Sequence, residues 1–536
     1  MPVLASEHVP LPTTDLLTWM FDLPTYDKDK PIFIDAANTS RAITCRQARA
    51  MVRRIAAGLK NAGFQRGDCL CMHTFNDIHY PVACLGAVAA GGVFAGTNPA
   101  YTVAELEHSF RTAEVRFLIV GPHLLPNVRA AASKVGIPES NIFAFDVDGE
   151  DIPPGIRSWT TLQDHGEIDW ERYDDIETGK RTSVSRLFSS GTTGLPKAMD
   201  MSSYNCTSQH TLVMEHRPRP YEVRRIICNP MFLVAQVARC HISALRGGYS
   251  MYIMRRFEMG PWLANIEKFR ITELNVVPAM VVMLLNSPLL KKSSLESVNL
   301  VFSGSAPLDK DLQARFKKYL RDDAVVNVVW GMSETCCVGM YYYYPDEDSS
   351  GAVGRPLPNH DVKLVDEEGK DITLSGNLGE LCMRGPSIFK GYCGIPTEFD
   401  EDGYYHTGDL SHYNKDTNLW YINGRKKELI KVRGFQVAPQ EIEAVLLNHP
   451  DVADASVIGV QESAETSEFP RAYIIPKPGS NPSVAAIKAY TAERLAKYKQ
   501  LEGGVVFVDS LPKNANSKVM KNVLRDRAKK EMSARL

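Results

Sequence analysis

The chain has 536 residues, 44% hydrophobic and 23% charged, more than one hydrophobic core can organise, which excludes a single small module. Its 61 Lys plus Arg nearly balance 63 Asp plus Glu, a formal charge of −2. That balance excludes a protein drawn to nucleic acid or anionic membrane by its overall field, and points to a small-molecule partner. Eleven cysteines, an odd number without a CxxC spacing, argue against a disulfide scaffold and a zinc site. Cys69 with Cys71, and the vicinal Cys336 and Cys337, read as strand residues in a reducing compartment.

No basic start followed by a long apolar run marks a secretory leader. The apolar periodicity predicts a helix over 45–61, a strand over 68–73, a small-residue helix over 80–90, a helix over 102–112 and a strand over 115–120. This alternation is that of an α/β sheet with crossover helices. The apolar run Val276 to Leu285 contains Pro278 and is too short to cross a bilayer. Buried strands are expected over 299–302 and 325–330 around a helix over 309–319, each strand ending in a turn rich in Gly, Ser or Pro. In open α/β sheets ligands sit beyond such carboxyl ends. After Leu419 the texture changes, with a short strand Trp420 to Asn423 and then a charged run, Gly424-Arg-Lys-Lys-Glu428. About 110 residues follow, enough for a small domain. The boundary is placed at Lys427, giving domains 1–426 and 427–536.

The densest chemical signal is Ser189-Ser190-Gly191-Thr192-Thr193-Gly194-Leu195-Pro196-Lys197. Backbone N–H groups freed by glycine, four hydroxyl residues and one ammonium can converge on phosphate oxygens. The order of a Walker A loop is absent, so this is a different phosphate cradle.

This nonapeptide resembles the signature of the adenylate-forming superfamily of acyl-CoA synthetases and 4-coumarate-CoA ligases. Further matching segments follow in order: Gly331-Met-Ser-Glu334, Gly379 to Gly385, Tyr405-His-Thr-Gly-Asp409, Gly424 to Gln436, and Pro512 to Lys518. The resemblance implies a large N-terminal domain of layered α/β sheets with a small mobile α+β C-terminal domain. It also implies a two-step reaction with ATP, Mg²⁺ and coenzyme A. A carboxylate attacks the α-phosphate to give an acyl-adenylate and pyrophosphate, and a thiol then displaces AMP.

The resemblance also assigns roles. Lys518 would bridge carboxylate and α-phosphate where negative charge develops, and Glu334 would hold Mg²⁺. Asp409 would accept the ribose hydroxyls, with Arg425 reaching the same ribose and phosphate, while Ala306, Trp330 and Ser333 would flank adenine and phosphate. Lys427 would be the hinge of a rotation that brings a second face to the site. Lys431 and Gln436 would then support thioester formation, and Arg433, Gly434 and Arg256 would contact coenzyme A.

The acid pocket, on the family pattern, comprises Leu233, Val234, Ser303, Gly304, Trp330, Gly331, Met332, Val338 and Gly339. These apolar or small side chains suit an aromatic or medium-length aliphatic acid. The chain departs from the family at Pro230-Met231-Phe232-Leu233, where relatives carry a histidine or aromatic as a gate, and at Val329 and Ser517, which replace glycines. Alternating faces place at least two of Tyr341 to Tyr344 away from the acid. Leu233 bears on the second half-reaction, so two rival readings stay open: an adenylating enzyme that passes the acyl group to a carrier protein or amine, and a non-catalytic nucleotide-binding homologue. The terminal Ala534-Arg535-Leu536 resembles a peroxisomal address read by an import receptor; otherwise the chain is expected in the cytoplasm.

Overall fold

The computed structural model describes residues 2–189, 196–304, 308, 310–397, 399–433, 435–461, 467–514 and 518–533, without the side chains of 435, 436 and 533. Ser190, Gly191, Thr192, Thr193, Gly194, Ala306, Gly434, Ser517, the side chain of Gln436 and the tripeptide 534–536 therefore lie outside the described residues.

Two mostly parallel sheets form the large lobe. The first has eight strands in the order Gly391–Tyr392, Lys197–Ser202, Ser183–Ser189, Val93–Gly96, Cys69–His73, Val115–Val120, Ile142–Ala144 and Arg157–Ser158. The second has seven: Val325–Val328, Leu300–Ser303, Glu273–Val276, Arg224–Ile227, Ser250–Ile253, Pro31–Asp35 and Ala42–Thr44. Crossover helices lie between them, and one continuous core extends from Leu16 to Trp420.

Local chemistry sets these elements. The helix Cys45–Asn61 starts on a capping box in which Thr44 and Gln47 satisfy each other's backbone N–H groups. Its apolar residues recur on one face, from Ala48 through Val52, Ile55, Ala56 and Leu59, all buried. Gly58 permits close packing there, since a Cβ at that position would come within 2.0 Å of the Leu162 carbonyl oxygen. The helices Tyr80–Ala89 and Val103–Thr112, the latter capped by Thr102 and Glu105, and the strand Val115–Val120 fall where periodicity places them. The later strands end at Ser303 and Val328, around a helix over Lys310–Lys317.

One expectation is corrected. Cys69 and Cys71 are strand residues, but Cys336 and Cys337 are not. They follow the 3₁₀ turn Ser333–Thr335 with φ of 55° and 118°. This backbone folds back so closely on Gly331 that a Cβ there would be 1.7 Å from the Cys337 carbonyl oxygen, a contact only glycine allows. All eleven cysteines are free thiols. Among the described residues no helix is long and apolar enough to cross a membrane.

A four-stranded antiparallel sheet follows, made of Asp361–Val365, Gly379–Arg384, Tyr405–Asn414 and Leu419–Arg425. The 3₁₀ turn Lys426–Glu428 then leads to the hairpin Ile430–Val432 and Phe435–Val437. Beyond it, strands Val452–Val460, Phe469–Pro476 and Gly504–Phe507 pack with helices Pro439–Leu447, Val484–Ala492 and Lys521–Ser533 over separate small cores.

Candidate active site

The strands of both large sheets aim their carboxyl ends at one cavity of about 1090 Å³. Its wall contains Ser189 at the end of its strand, Thr74 to Asn76 after His73, Cys228 to Pro230 after Ile227, Val277 after Val276, Gly304 after Ser303 and Val329 after Val328. This is the crevice that parallel α/β topology leaves for a ligand. The C-terminal segment closes it with Lys513 and Lys518.

Asp409 and Arg425 face each other as register partners on adjacent antiparallel strands, where cross-strand side chains meet. Arg425 Nε lies 2.8 Å from Asp409 Oδ1. On the other oxygen, Trp330 Nε1 donates a hydrogen bond of 2.8 Å to Asp409 Oδ2. Asp409 is only 4% exposed, so both contacts act with little solvent competition. Burial opposes the charge of Arg425, but Asp409, Glu428 and Glu334 outweigh it and hold the guanidinium above its ordinary value. Neither Asp409 nor Trp330 lines the cavity: both are buried, beside the lining residues Gly408 and Arg425, and Trp330 forms an isolated bridge with Met340.

Glu334 sits on the short turn after Met332, whose backbone N–H donates to the Thr335 hydroxyl at 3.0 Å. Tyr392 Oη donates to Glu334 Oε1 at 2.7 Å and lies 3.0 Å from Tyr405 Oη. Burial first, and then the Glu334 charge, push the Tyr392 phenol far above its ordinary value, so it stays protonated and serves as a donor. Lys197 Nζ lies 4.6 Å from the centre of the same ring. Tyr392, Lys197, Ser333 and Glu334 all line the cavity.

Lys518 lies in the loop closed by the bridge between Lys513 and Val519. Its backbone N–H donates to Asn514 Oδ1 at 3.0 Å, and its carbonyl accepts from the Asn514 N–H at 2.8 Å. Burial, and next the positive Arg425, lower its ammonium below the ordinary lysine value, while Glu428 and Asp409 pull the other way. Lys518 thus shares its electrostatic surroundings with the Asp409 and Arg425 pair, although these residues are far apart in sequence.

The residues assigned to the second step are elsewhere. Lys431 and Gln436 are register partners on the small hairpin. Lys431 is exposed, and its N–H donates to Glu468 Oε2 at 2.8 Å. Arg433 is paired with Glu502 at 2.7 Å. Neither lines the cavity. Arg256 does, at the rim, 72% exposed and 2.9 Å from Glu258. Lys427 lines the cavity beside Lys426, which pairs with Glu380 at 2.9 Å.

Of the expected acid pocket, Leu233, Val234, Gly304, Gly331, Met332 and Val338 line the cavity. Ser303 and Gly339 do not. Ser303 is fully buried with a hydroxyl lacking a partner among the described residues, and a Cβ at Gly339 would come within 2.6 Å of the Trp330 ring. Of the tyrosine run 341–344 only Tyr341 lines the wall, and sequence reasoning missed Tyr392, Gln236, Arg239 and Phe302 there. A lone basic residue in the otherwise uncharged stretch from Met231 to Cys240 was the available signal for Arg239.

Comparison with known proteins agrees with this geometry. Residues 24–393 match the AMP-binding enzyme family, and residues 441–518 match its C-terminal domain. The chain is 45% identical to a phenylacetyl-CoA ligase of Aspergillus niger, over 97% of this chain and 98% of that one. It is 48% identical to an acyl-CoA synthetase of Alternaria alternata, over 92% and 87%. Among solved structures, ATP-bound MatB from Rhodopseudomonas palustris superposes with a TM-score of 0.83 at 29% identity, covering 97% of this chain and 99% of that one. The chain thus belongs to the AMP-binding enzymes, the adenylate-forming family that includes acyl-CoA synthetases.

Proposed function

We propose that this chain is an ATP-dependent acid-CoA ligase acting on an aromatic or medium-length aliphatic carboxylic acid. The observation that carries the proposal is the convergence of Lys518, Arg425, Glu334 and Lys197 on one cavity whose other wall is lined largely by Phe232, Leu233, Val234, Val277, Met280 and Val338. Cations and a carboxylate at one end suit a triphosphate, and apolar side chains at the other suit an acyl group. The phenylacetyl-CoA ligase relative favours an arylacetic or similar acid.

In the first step an oxygen of the acid attacks the α-phosphorus and the bond to the β-phosphate oxygen breaks, releasing pyrophosphate. Lys518 offsets the repulsion between carboxylate and triphosphate, which is greatest in the transition state. Desolvation of its ammonium strengthens that attraction. Asp409, held on both oxygens by Arg425 and Trp330, retains lone pairs for two ribose hydroxyls. Glu334 fits a magnesium site, because Tyr392 occupies Oε1 and leaves Oε2 for an ion completed by phosphate oxygens. Bound there, Mg²⁺ would neutralise the departing pyrophosphate.

In the second step the thiolate of coenzyme A attacks the acyl carbon and the bond to AMP oxygen breaks. Lys431, Gln436, Arg433 and Gly434 serve this step after the segment beyond Lys427 turns about that residue, and Arg256 meets the nucleotide phosphates of coenzyme A at the rim. The exposed positions of Lys431 and Arg433 away from the cavity support an arrangement poised for adenylation. The test is a panel of acids with the purified chain, ATP, Mg²⁺ and coenzyme A, scoring pyrophosphate and acyl-thioester separately. Both products support the proposal. Pyrophosphate without thioester would redirect it to another acceptor, and neither product would overturn it.

A further inference from the structure

The apolar end of the cavity contains a cation that the ligase reading does not use. Arg239 lies on the helical turn Val237–Ile242 and lines the cavity together with Gln236, Phe302, Cys337 and Tyr341. Its guanidinium lies 5.8 Å from the centre of the Phe302 ring. Among the described residues it has no ion pair or side-chain hydrogen bond; only its carbonyl is engaged, by Arg225.

The surroundings explain why it has no partner. Glu273, fully buried, is the carboxylate whose charge acts on Arg239, and it is already committed to two other guanidiniums. Arg225 Nη2 lies 2.6 Å from Glu273 Oε2 and Arg219 Nε 3.0 Å from Oε1. Arg219 also donates to Tyr341 Oη at 2.8 Å. Two guanidiniums therefore occupy the one carboxylate, and Arg239 feels its charge without contacting it. Cys337 does not offset the excess, because burial holds its thiol up at about 11 despite Arg239 and Arg225, so it is neutral. Burial and then Arg225 push Arg239 down, but only to about 10, so it remains charged at neutral pH. Beside it Gln236, 3% exposed, has a side-chain oxygen without a hydrogen-bond partner among the described residues.

Arg239 is half-buried, and a cation drawn partly out of water and facing a cavity without a counter-charge is costly unless the ligand supplies one. Lys518 is a separate centre: the largest charge effects on it come from Arg425, Glu428, Asp409 and Lys521, whereas those on Arg239 come from Arg225, Glu273, Cys337 and Arg219. Resting on the ligase reading above, we infer that Arg239 is the specificity residue of the acid pocket, pairing with a second carboxylate on the acid at the end remote from the one that is adenylated. The substrate class is then a dicarboxylic acid, with the planar guanidinium gripping the far carboxylate in a bidentate pair. The apolar lining contacts the carbon skeleton between the two charged ends.

The experiment compares matched pairs, hexanoate against adipate and phenylacetate against 4-carboxyphenylacetate, by kcat/KM for ATP-dependent pyrophosphate release. In the parent protein the dicarboxylic member is expected to win by about 10- to 100-fold, the range of one charge-assisted bidentate contact. Arg239→Leu should remove that preference and leave the monocarboxylic acids within about threefold, while Arg239→Lys should retain part of it. The unfolding temperature of Arg239→Leu should be unchanged or higher, because an uncompensated charge has been removed; a purely structural arginine would instead lower it. If monocarboxylic acids are used as well as or better than their partners by the parent protein, the role of Arg239 is refuted and the ligase reading survives. If no acid of any pair yields pyrophosphate, the ligase reading falls and this inference with it. The parent ratios decide the matter even if a variant fails to fold.

Discussion

Trp330→Phe tests how Asp409, the carboxylate proposed to take the ribose, is held. The indole nitrogen donates a 2.8 Å hydrogen bond to Asp409 Oδ2, and phenylalanine keeps a ring in the buried slot against Gly339 but loses the donor. A hydrogen bond to a charged group contributes about 1.5–3 kcal/mol. Because Arg425 still pairs with Oδ1 at 2.8 Å, the lower half of that range applies, about 1.5–2 kcal/mol, equivalent to about 10- to 30-fold. The loss is expected in the KM for ATP, measured by acid-dependent pyrophosphate exchange, with the KM for the acid essentially unchanged. Circular dichroism and thermal unfolding check that the smaller ring has not loosened the fold. A KM for ATP within twofold of the parent in a folded variant, or an equal rise in both KM values, would refute the placement of Asp409 at the nucleotide.

Lys518→Ala should abolish pyrophosphate exchange while ATP still binds by calorimetry; full exchange would remove Lys518 from the first step. Lys431→Ala should spare exchange and slow thioester release, and equal loss of both steps would contradict the two-face arrangement. Tyr392→Phe removes the 2.7 Å donor from the nearly buried Glu334 and should raise the Mg²⁺ concentration needed for half-maximal exchange by about tenfold, a loss of about 1.4 kcal/mol; an unchanged requirement would separate Glu334 from the metal. Glu273 supplies a pH signature. Burial alone would raise its pKa, but Arg225, Arg219 and Arg239 hold it down to about 2, against an ordinary 4.5. Its stabilising contribution is therefore complete above pH 4.5 and lost as pH falls from there toward 2. Glu273→Gln should be destabilised by about 3–5 kcal/mol at neutral pH and should show a shallower acid limb in urea unfolding; parallel limbs would refute the assignment.

Much of this site was legible in the sequence because its chemistry sits on short local segments, some in strands and some in the turns beside them. Lys197, Glu334, Asp409, Arg425 and Lys518 each belong to a local segment whose residue types suit phosphate, sugar or carboxylate. What escaped is convergence over long separations. Glu273, Arg225 and Arg239 come from a strand, its neighbour and a helical turn, and nothing near any one of them announces the others. Tyr392 was invisible for the same reason, meeting Glu334 only because the strand Gly391–Tyr392 joins the edge of the large sheet beside Lys197–Ser202. Cys336 and Cys337 read as strand because composition favours it, whereas the backbone adopts positive φ there to turn back over Gly331. Trp330 likewise looked like a wall of the nucleotide pocket, yet its ring is packed inward and only its nitrogen reaches the chemistry.

The cross-strand pairing of Asp409 with Arg425 has a mechanical corollary. Both ends of that clasp belong to one hydrogen-bonded ladder, whereas Lys518 hangs from a loop of a different fold unit whose own cores are distinct. On the proposed function, cargo and catalyst would thus be fastened to separate handles. Retreat of the lysine would expose the freshly made anhydride to an incoming thiol while the sugar stayed tethered, so a reactive compound would never have to leave between the two halves of the cycle.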